Sequence, residues 1–207
     1  MYKIYGSFSE NPGIIGYNFF NKQFKHNNIN ACYIPFRIND IQLAILSIKI
    51  LNICGIGISM PFKTICMQYL DTIDNTANAI GAVNTIINKN NILYGYNTDW
   101  IAIYDTIKET DKPIYILGNG GYAKAAIYAC NKLNRKFIQI TRQNWNMITN
   151  IYNSIIINCT PVINIIENNN IVLYANVNTE TGKKLAFKQA CEQYYLYTGS
   201  YPDVSIY

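Results

Sequence analysis

A glycine-rich segment, Leu117-Gly118-Asn119-Gly120-Gly121-Tyr122-Ala123, closes an apolar run and opens an alanine-rich one. Its spacing Gly118, Gly120, Ala123 fits G-x-G-x-x-G/A. In that pattern the first small residue makes a tight turn, the second admits a pyrophosphate to the backbone, and the third lets helix and strand pack closely. The unpaired N–H groups of a helix start complete an anion site. Gly118, Asn119, Gly120, Gly121, Tyr122 and Ala123 are therefore candidate dinucleotide-binding residues; an ordinary strand-to-helix turn is the alternative. Further on, where an acid would bind the ribose 2′-hydroxyl of NAD, stand Thr141-Arg142-Gln143. An arginine without an acid there favours the 2′-phosphate of NADP, against the alternative of a solvated surface arginine. Two more polar residues, Lys63 and Asp99, each stand where an apolar strand gives way to a helix. A lysine and a carboxylate that meet at such junctions keep each other charged or share a proton with a substrate hydroxyl. Two exposed surface charges are the other reading.

The elements that must carry these groups follow from periodicity. Tyr2–Gly6, Cys32–Phe36 and Gly55–Met60 read as strands around helices at Ile14–Asn27 and from the Asp40 cap to Leu51, a β-α-β-α-β pattern. Pro61 suits the first turn of a helix through Lys63 to Tyr69. Asn84–Ile87 and Ile92–Tyr96 read as a hairpin over Asn88–Asn91, after which Thr98 caps a helix from Asp99 to Lys108. The polar stretch Glu109–Pro113 marks a boundary. Beyond it come strands at Ile114–Leu117, Phe137–Thr141, Ser154–Asn158 and Ile171–Tyr174, a helix at Tyr122–Leu133 and a final amphipathic helix at Lys183–Thr198. Asn-rich pieces such as Glu167–Asn170 read as loops. The expected fold is a two-domain α/β protein, with a mixed-sheet domain at 1–109, a shortened Rossmann-type domain at 110–182 and a returning C-terminal helix at 183–207.

Composition narrows the chemistry. Of 207 residues, 50% are hydrophobic, enough for a sizeable core, and the net charge of +5 is scattered rather than gathered into a stripe. That pattern speaks against nucleic-acid binding and suits a small anionic ligand. One histidine, His26, and six dispersed cysteines leave no zinc set and no Ser-His-Asp or Cys-His device, and the cysteines read as buried free thiols of a reducing compartment. No apolar run is long enough for a membrane span, and the start MYKIYGSFSEN has no signal-peptide pattern, so a cytoplasmic protein is expected.

Taken in order, Gly55-Ile56-Gly57-Ile58-Ser59-Met60-Pro61-Phe62-Lys63, Gly81-Ala82-Val83-Asn84-Thr85, Gly95-Tyr96-Asn97-Thr98-Asp99 and the Gly118–Gly121 loop resemble the signature of the shikimate dehydrogenase family. Ser7-Phe8-Ser9-Glu10-Asn11-Pro12-Gly13 through Gly16 and Asn21, with Gln189-Ala190-Cys191-Glu192-Gln193-Tyr194-Tyr195, is closer to its shikimate-dehydrogenase-like branch. The resemblance implies NADPH-dependent reduction of 3-dehydroshikimate to shikimate, on the route through chorismate to the aromatic amino acids, without a metal. It implies a catalytic pair at Lys63 and Asp99 and ring-hydroxyl contacts from Asn84 and Asp99. Ser7 and Ser9 would bind the substrate carboxylate, Ser59 would stand for a threonine hydroxyl, Gln189 would close the site, and Tyr174 would match a substrate-facing tyrosine.

Three departures qualify those expectations. The serine motif carries its proline at Pro12 with no histidine after it; the region from Arg142 to Ser154 and the segments around Pro161–Ile171 and Thr179–Gly182 are short; and the chain stops at Tyr207, where the family adds a helix. Such losses would expose sheet edges and apolar surface, so either a partner subunit, as in a homodimer, or reduced stability is expected. The competing readings are a non-catalytic shikimate- or dinucleotide-binding protein and a quinate-oxidising variant.

Overall fold

The computed structural model describes residues 2–165 and 169–206; Glu167 and Asn168 of the expected Asn-rich loop lie outside them. The chain forms two compact units, residues Met1–Thr98 with Ala190–Tyr207, and residues Asp99–Gln189.

The first unit contains β1 (Lys3–Ser9), α1 (Ile15–His26), β2 (Ala31–Arg37), α2 (Ile41–Ile50), β3 (Gly55–Ile58), β4 (Thr72–Ile73), α3 (Asn75–Ile80), β5 (Thr85–Lys89) and β6 (Ile92–Tyr96). Its sheet has the order β2-β1-β3-β5-β6-β4, with β5 antiparallel to both its neighbours and the other pairs parallel. Asp40 caps α2 as expected, accepting from the Leu43 N–H at 3.0 Å. One face of the sheet buries Phe8, Ile56 and Ile58 against Ile41, Ala44, Ile45 and Ile48 of α2. In the same unit, Tyr5 and Tyr33 pack on Phe20 and Phe24 of α1 and on Tyr194 and Tyr197 of the C-terminal segment. Gln23, fully buried, holds the chain end by donating to the Asp203 carbonyl at 2.6 Å and accepting from the Asp203 N–H at 3.1 Å.

The expected helix from Pro61 to Tyr69 is instead a turn followed by a 3₁₀ segment at Ile65–Tyr69. The Lys63 carbonyl, which a helix would use internally, accepts from the Val83 N–H at 2.7 Å. Neither β4 nor α3 was expected. Asp74 caps α3 by accepting from Thr76 and Ala77, and Gly81, at φ 70°, ends it.

The second unit contains α4 (Asp99–Ile107), β7 (Ile114–Leu117), α5 (Gly121–Lys132), β8 (Phe137–Ile140), β9 (Ile155–Asn158), β10 (Ile171–Tyr174) and the first part of α6 (Glu180–Thr198). Its all-parallel sheet has the order β10-β9-β7-β8. Because β8 lies on one side of β7 and β9 on the other, the strand order reverses at β7, the place where such sheets open a ligand crevice at their carboxyl ends. Helix α5 buries Ala123, Ala125, Ala126, Ala129 and Cys130, small residues that let it approach the sheet closely.

Helix α4 groups with this unit, whose start at Asp99 lies eleven residues before the expected boundary at 109/110. Its Ala102, Ile103 and Ile107 share a core with Ile114, Ile116 and Ala126. The expected C-terminal segment 183–207 divides likewise, since Leu185 joins that same core and Tyr194 packs on α1. All six cysteines are free, but only Cys66 and Cys130 are buried. No helix among the described residues is long and apolar enough to cross a membrane.

Candidate active site

In the second unit, the glycine turn, the loop after β8 and the loop after β9 line one cleft of about 860 Å³: Gly118, Asn119 and Gly120 from the first, Thr141, Arg142, Gln143 and Trp145 from the second, and Cys159, Thr160, Pro161 and Val162 from the third. Gly118 adopts φ +103°, a conformation that favours glycine, and the neighbouring strand β8 pins it there. Its N–H donates to Ile140 O at 2.8 Å and its carbonyl accepts from Gln139 Nε2 at 2.8 Å. Gly120 is the N-cap of α5, and a Cβ built on it meets nothing within 4 Å. That open flank beside the first N–H groups of a twelve-residue helix is the cradle a pyrophosphate requires. Ala123, fully buried, serves helix packing.

After β8, Thr141 caps a kinked 3₁₀ segment at Arg142–Asn150. Its N–H donates to Asn144 Oδ1 at 2.7 Å, while its hydroxyl accepts from the Gln143 N–H at 3.4 Å. This reciprocal cap holds the exposed Arg142 on the cleft wall. A glycine turn at a helix start, a guanidinium and the indole of Trp145 together fit a phosphorylated dinucleotide.

In the first unit, the carboxyl ends of β1, β3 and β6 and the start of β5 lie along one edge of the sheet. Backbone bonds lock it: Ser59 N–H to Phe8 O at 3.0 Å, Ile58 N–H to Asn84 O at 2.7 Å, and Asn84 N–H to Tyr96 O at 3.0 Å. Ser59 is exposed on this edge, Lys63 half-buried, and Asn84 and Ser9 buried. Burial pushes the Cys66 thiol up to about 12, and the Lys63 ammonium nearby opposes that shift. Asn84 Nδ2 donates to Thr98 Oγ1 at 2.9 Å, and its Oδ1 accepts from the Thr98 N–H and the Thr85 hydroxyl, each at 2.9 Å. The amide of Asn84 is thus committed to the protein except for one N–H. The Ser9 hydroxyl, also buried, has no hydrogen-bond partner among the described residues, an arrangement that costs about 1–3 kcal/mol.

Asp99 follows Thr98 directly, opens α4 and is 3% exposed. Within the second unit it lies in electrostatic reach of Tyr122: burial first, then the Asp99 carboxylate, push that phenol well above its ordinary range. Tyr174 is engaged inside the same unit, its ring against the cluster around Leu117 and Ile140 and its hydroxyl accepting from the Ile165 N–H at 3.3 Å. Gln189, half-buried, ends the second unit on α6. Sequence reasoning passed over Asn144, Trp145 and Thr160. Trp145 and Thr160 had one legible cue, a place just after a parallel strand.

A family model described as the shikimate dehydrogenase substrate binding domain matches residues 15–86. A shikimate dehydrogenase-like protein of Haemophilus influenzae is 37% identical over 142 residues, covering 67% of this chain and 52% of its own length. A shikimate dehydrogenase (NADP(+)) of Methanosphaera stadtmanae is 38% identical over 162 residues, covering 73% of this chain and 57% of its own. The chain thus spans about half the length of the curated relatives it matches. Among solved structures, shikimate dehydrogenase 1 from Peptoclostridium difficile superposes with a TM-score of 0.84 at 27% identity, covering 99% of this chain and 94% of the other.

Proposed function

The chain belongs to the shikimate dehydrogenase family, and from that premise we propose that it is a cytoplasmic NADP(H)-dependent oxidoreductase interconverting 3-dehydroshikimate and shikimate. The observation that carries the reading is the cleft of the second unit, where the Gly118–Gly120 turn and Arg142 share one wall system. Arg142 would hold the ribose 2′-phosphate, and the N–H groups at the start of α5 would hold the pyrophosphate. When bound, NADPH supplies the hydride.

The remaining work falls to side chains. The Lys63 ammonium donates a proton to the carbonyl oxygen as it becomes a hydroxyl and takes it back in the oxidative direction, general acid–base catalysis worth about 10²–10⁴-fold. The Asp99 carboxylate accepts from a neighbouring ring hydroxyl. Asn84 offers its remaining amide N–H to another, Ser59 offers its hydroxyl, and Gln189 an amide. Ser7 and Ser9 donate to the substrate carboxylate, and the unpaired Ser9 hydroxyl supports that role. We also propose self-association, for which Leu43, Leu46 and Ile50 form an apolar stripe on α2, each more than half exposed.

Purified protein incubated with NADP⁺ and shikimate, beside NAD⁺ and quinate, tests the reading through the ultraviolet absorbance of the reduced cofactor. Turnover with shikimate and NADP⁺ supports it. Turnover with quinate alone would reassign the substrate, and folded protein inert with every pair would leave a binding protein in place of an enzyme.

A further inference from the structure

Among the described residues β8 pairs with one strand only, β7, and its other edge carries no strand. Along a strand in a parallel pair, successive residues turn their N–H and C=O groups to opposite sides. The Ile140 carbonyl accepts from the Gly118 N–H at 2.8 Å, so Ile140 bonds toward β7. Gln139 and Thr141 therefore turn theirs to the open edge. Both residues are half-buried, and backbone groups there need partners.

Asn144 supplies them. Its Oδ1 accepts from the Thr141 N–H at 2.7 Å, and its Nδ2 donates to the Gln139 carbonyl at 3.2 Å. One carboxamide thus brackets Ile140 as a residue of a further parallel strand would, offering an acceptor to one peptide and a donor to the other. Reaching back onto the edge takes a kink, and Asn144 has φ −128° and ψ 29° inside the 3₁₀ segment. The Asn144 N–H closes the base of the loop by donating to the Thr141 carbonyl at 3.3 Å. Beyond the kink, Ile148 and Ile151 sink into the cluster around Leu117 and Ile140.

Only Arg142 and Gln143 stand between Thr141 and Asn144, and both are exposed. They form the crest of a closed loop on the wall of the cleft. An arginine side chain loses rotamer freedom when it grips a phosphate, so a crest fixed in advance leaves less to be ordered on binding. The glycine turn is fastened through the opposite edge of β8, to the Ile140 carbonyl, and does not draw on Asn144. We propose that Asn144 is a positioning residue for cofactor choice, its carboxamide standing in for a strand on the open edge of β8 and so holding Arg142 where the 2′-phosphate of NADP arrives. This rests on the reading of Arg142 as the 2′-phosphate contact. NADP⁺ then calls on the loop crest as well as the glycine turn, and NAD⁺ on the turn alone.

The test is a double-mutant cycle in the full chain with Asn144→Ala, Arg142→Ala and both together, reading the Kd of NADP⁺ and of NAD⁺ by calorimetry. Asn144→Ala should raise the Kd for NADP⁺ about tenfold, leave that for NAD⁺ unchanged, and add nothing in the Arg142→Ala background. Equal rises for both nucleotides, as a residue that only stabilises the fold would give, or additive effects in the cycle would overturn the proposal while wild-type binding of NADP⁺ left the functional reading standing. Wild-type protein that binds neither nucleotide would overturn both. Should Asn144→Ala fold poorly, Asn144→Ser supplies the second arm, since its short hydroxyl cannot bracket Ile140 on both sides. The same selective rise in the Kd for NADP⁺ supports the proposal, and unchanged NADP⁺ affinity contradicts it.

Discussion

Asn84 and Thr98 grip each other in both directions: the Asn84 oxygen accepts from the Thr98 N–H at 2.9 Å, and the Asn84 amide donates to the Thr98 hydroxyl at 2.9 Å. Both residues are buried, so the clasp ties the start of β5 to the peptide that leads into Asp99. Truncation would remove both of these buried hydrogen bonds. Asn84→Ala should therefore lower stability by about 1–3 kcal/mol as well as weaken substrate binding. Urea denaturation reads the first effect, and an unchanged midpoint would contradict the clasp.

The two cleft glycines should part company when each is changed to alanine. Gly118→Ala forces a side chain into φ +103° and onto the Thr160 methyl at 3.2 Å, so it should cost about 1–2 kcal/mol of stability. Gly120→Ala meets nothing within 4 Å and only puts a poorer residue at the N-cap of α5, so it should lower the melting temperature less than Gly118→Ala does while raising the KM for NADP⁺. Equal melting temperatures for the two variants, or a Gly120→Ala enzyme with normal cofactor affinity, would count against the assigned roles.

In the proposed reading Arg142 holds the ribose 2′-phosphate and so carries the choice of cofactor. Losing a charge-assisted contact to a phosphate costs about 1.5–3 kcal/mol, so Arg142→Ala should raise the KM for NADP⁺ about tenfold or more and leave that for NAD⁺ unaltered. Parallel loss with both cofactors would show that Arg142 acts elsewhere.

Asp71 gives a pH dependence with a definite sign. It accepts from Lys49 Nζ at 3.0 Å and from the Leu93 N–H at 2.7 Å, and these bonds, the lysine first, hold its carboxyl below its usual 3.8. The folded value lies beneath the unfolded one, so the stabilisation is present above the unfolded value and disappears as pH falls through the folded value. Thermal unfolding followed downward from about pH 4 should fall more steeply for wild type than for Asp71→Asn. Coincident slopes would refute the linkage.

Local pattern made much of this architecture legible. The runs Ile114–Leu117 and Ile171–Tyr174 gave β7 and β10 at their observed bounds, and Asp40 announced the start of α2. Long-range contacts set what was missed. The 3₁₀ segment at Ile65–Tyr69 depends on Val83 capturing the Lys63 carbonyl, and the allegiance of α4 depends on which sheet its apolar face meets. Helix α3 did carry readable signals in Asp74 and Gly81, but at six residues its periodicity was too short to register. In the candidate site, the glycine turn and Arg142 could be found from spacing. Asn144 could not, because its bonds to Gln139 and Thr141 depend on the open edge of β8, which only the assembled sheet defines.

Steady-state oxidation of shikimate by NADP⁺, compared between wild type and Lys63→Ala, tests the central claim most directly. A fall in kcat of about 10²–10⁴-fold, with shikimate affinity and unfolding midpoint preserved, is the predicted result. A Lys63→Ala protein that turns over at the wild-type rate would contradict the assignment of Lys63 as the proton-transfer residue, and with it the catalytic account built on this site.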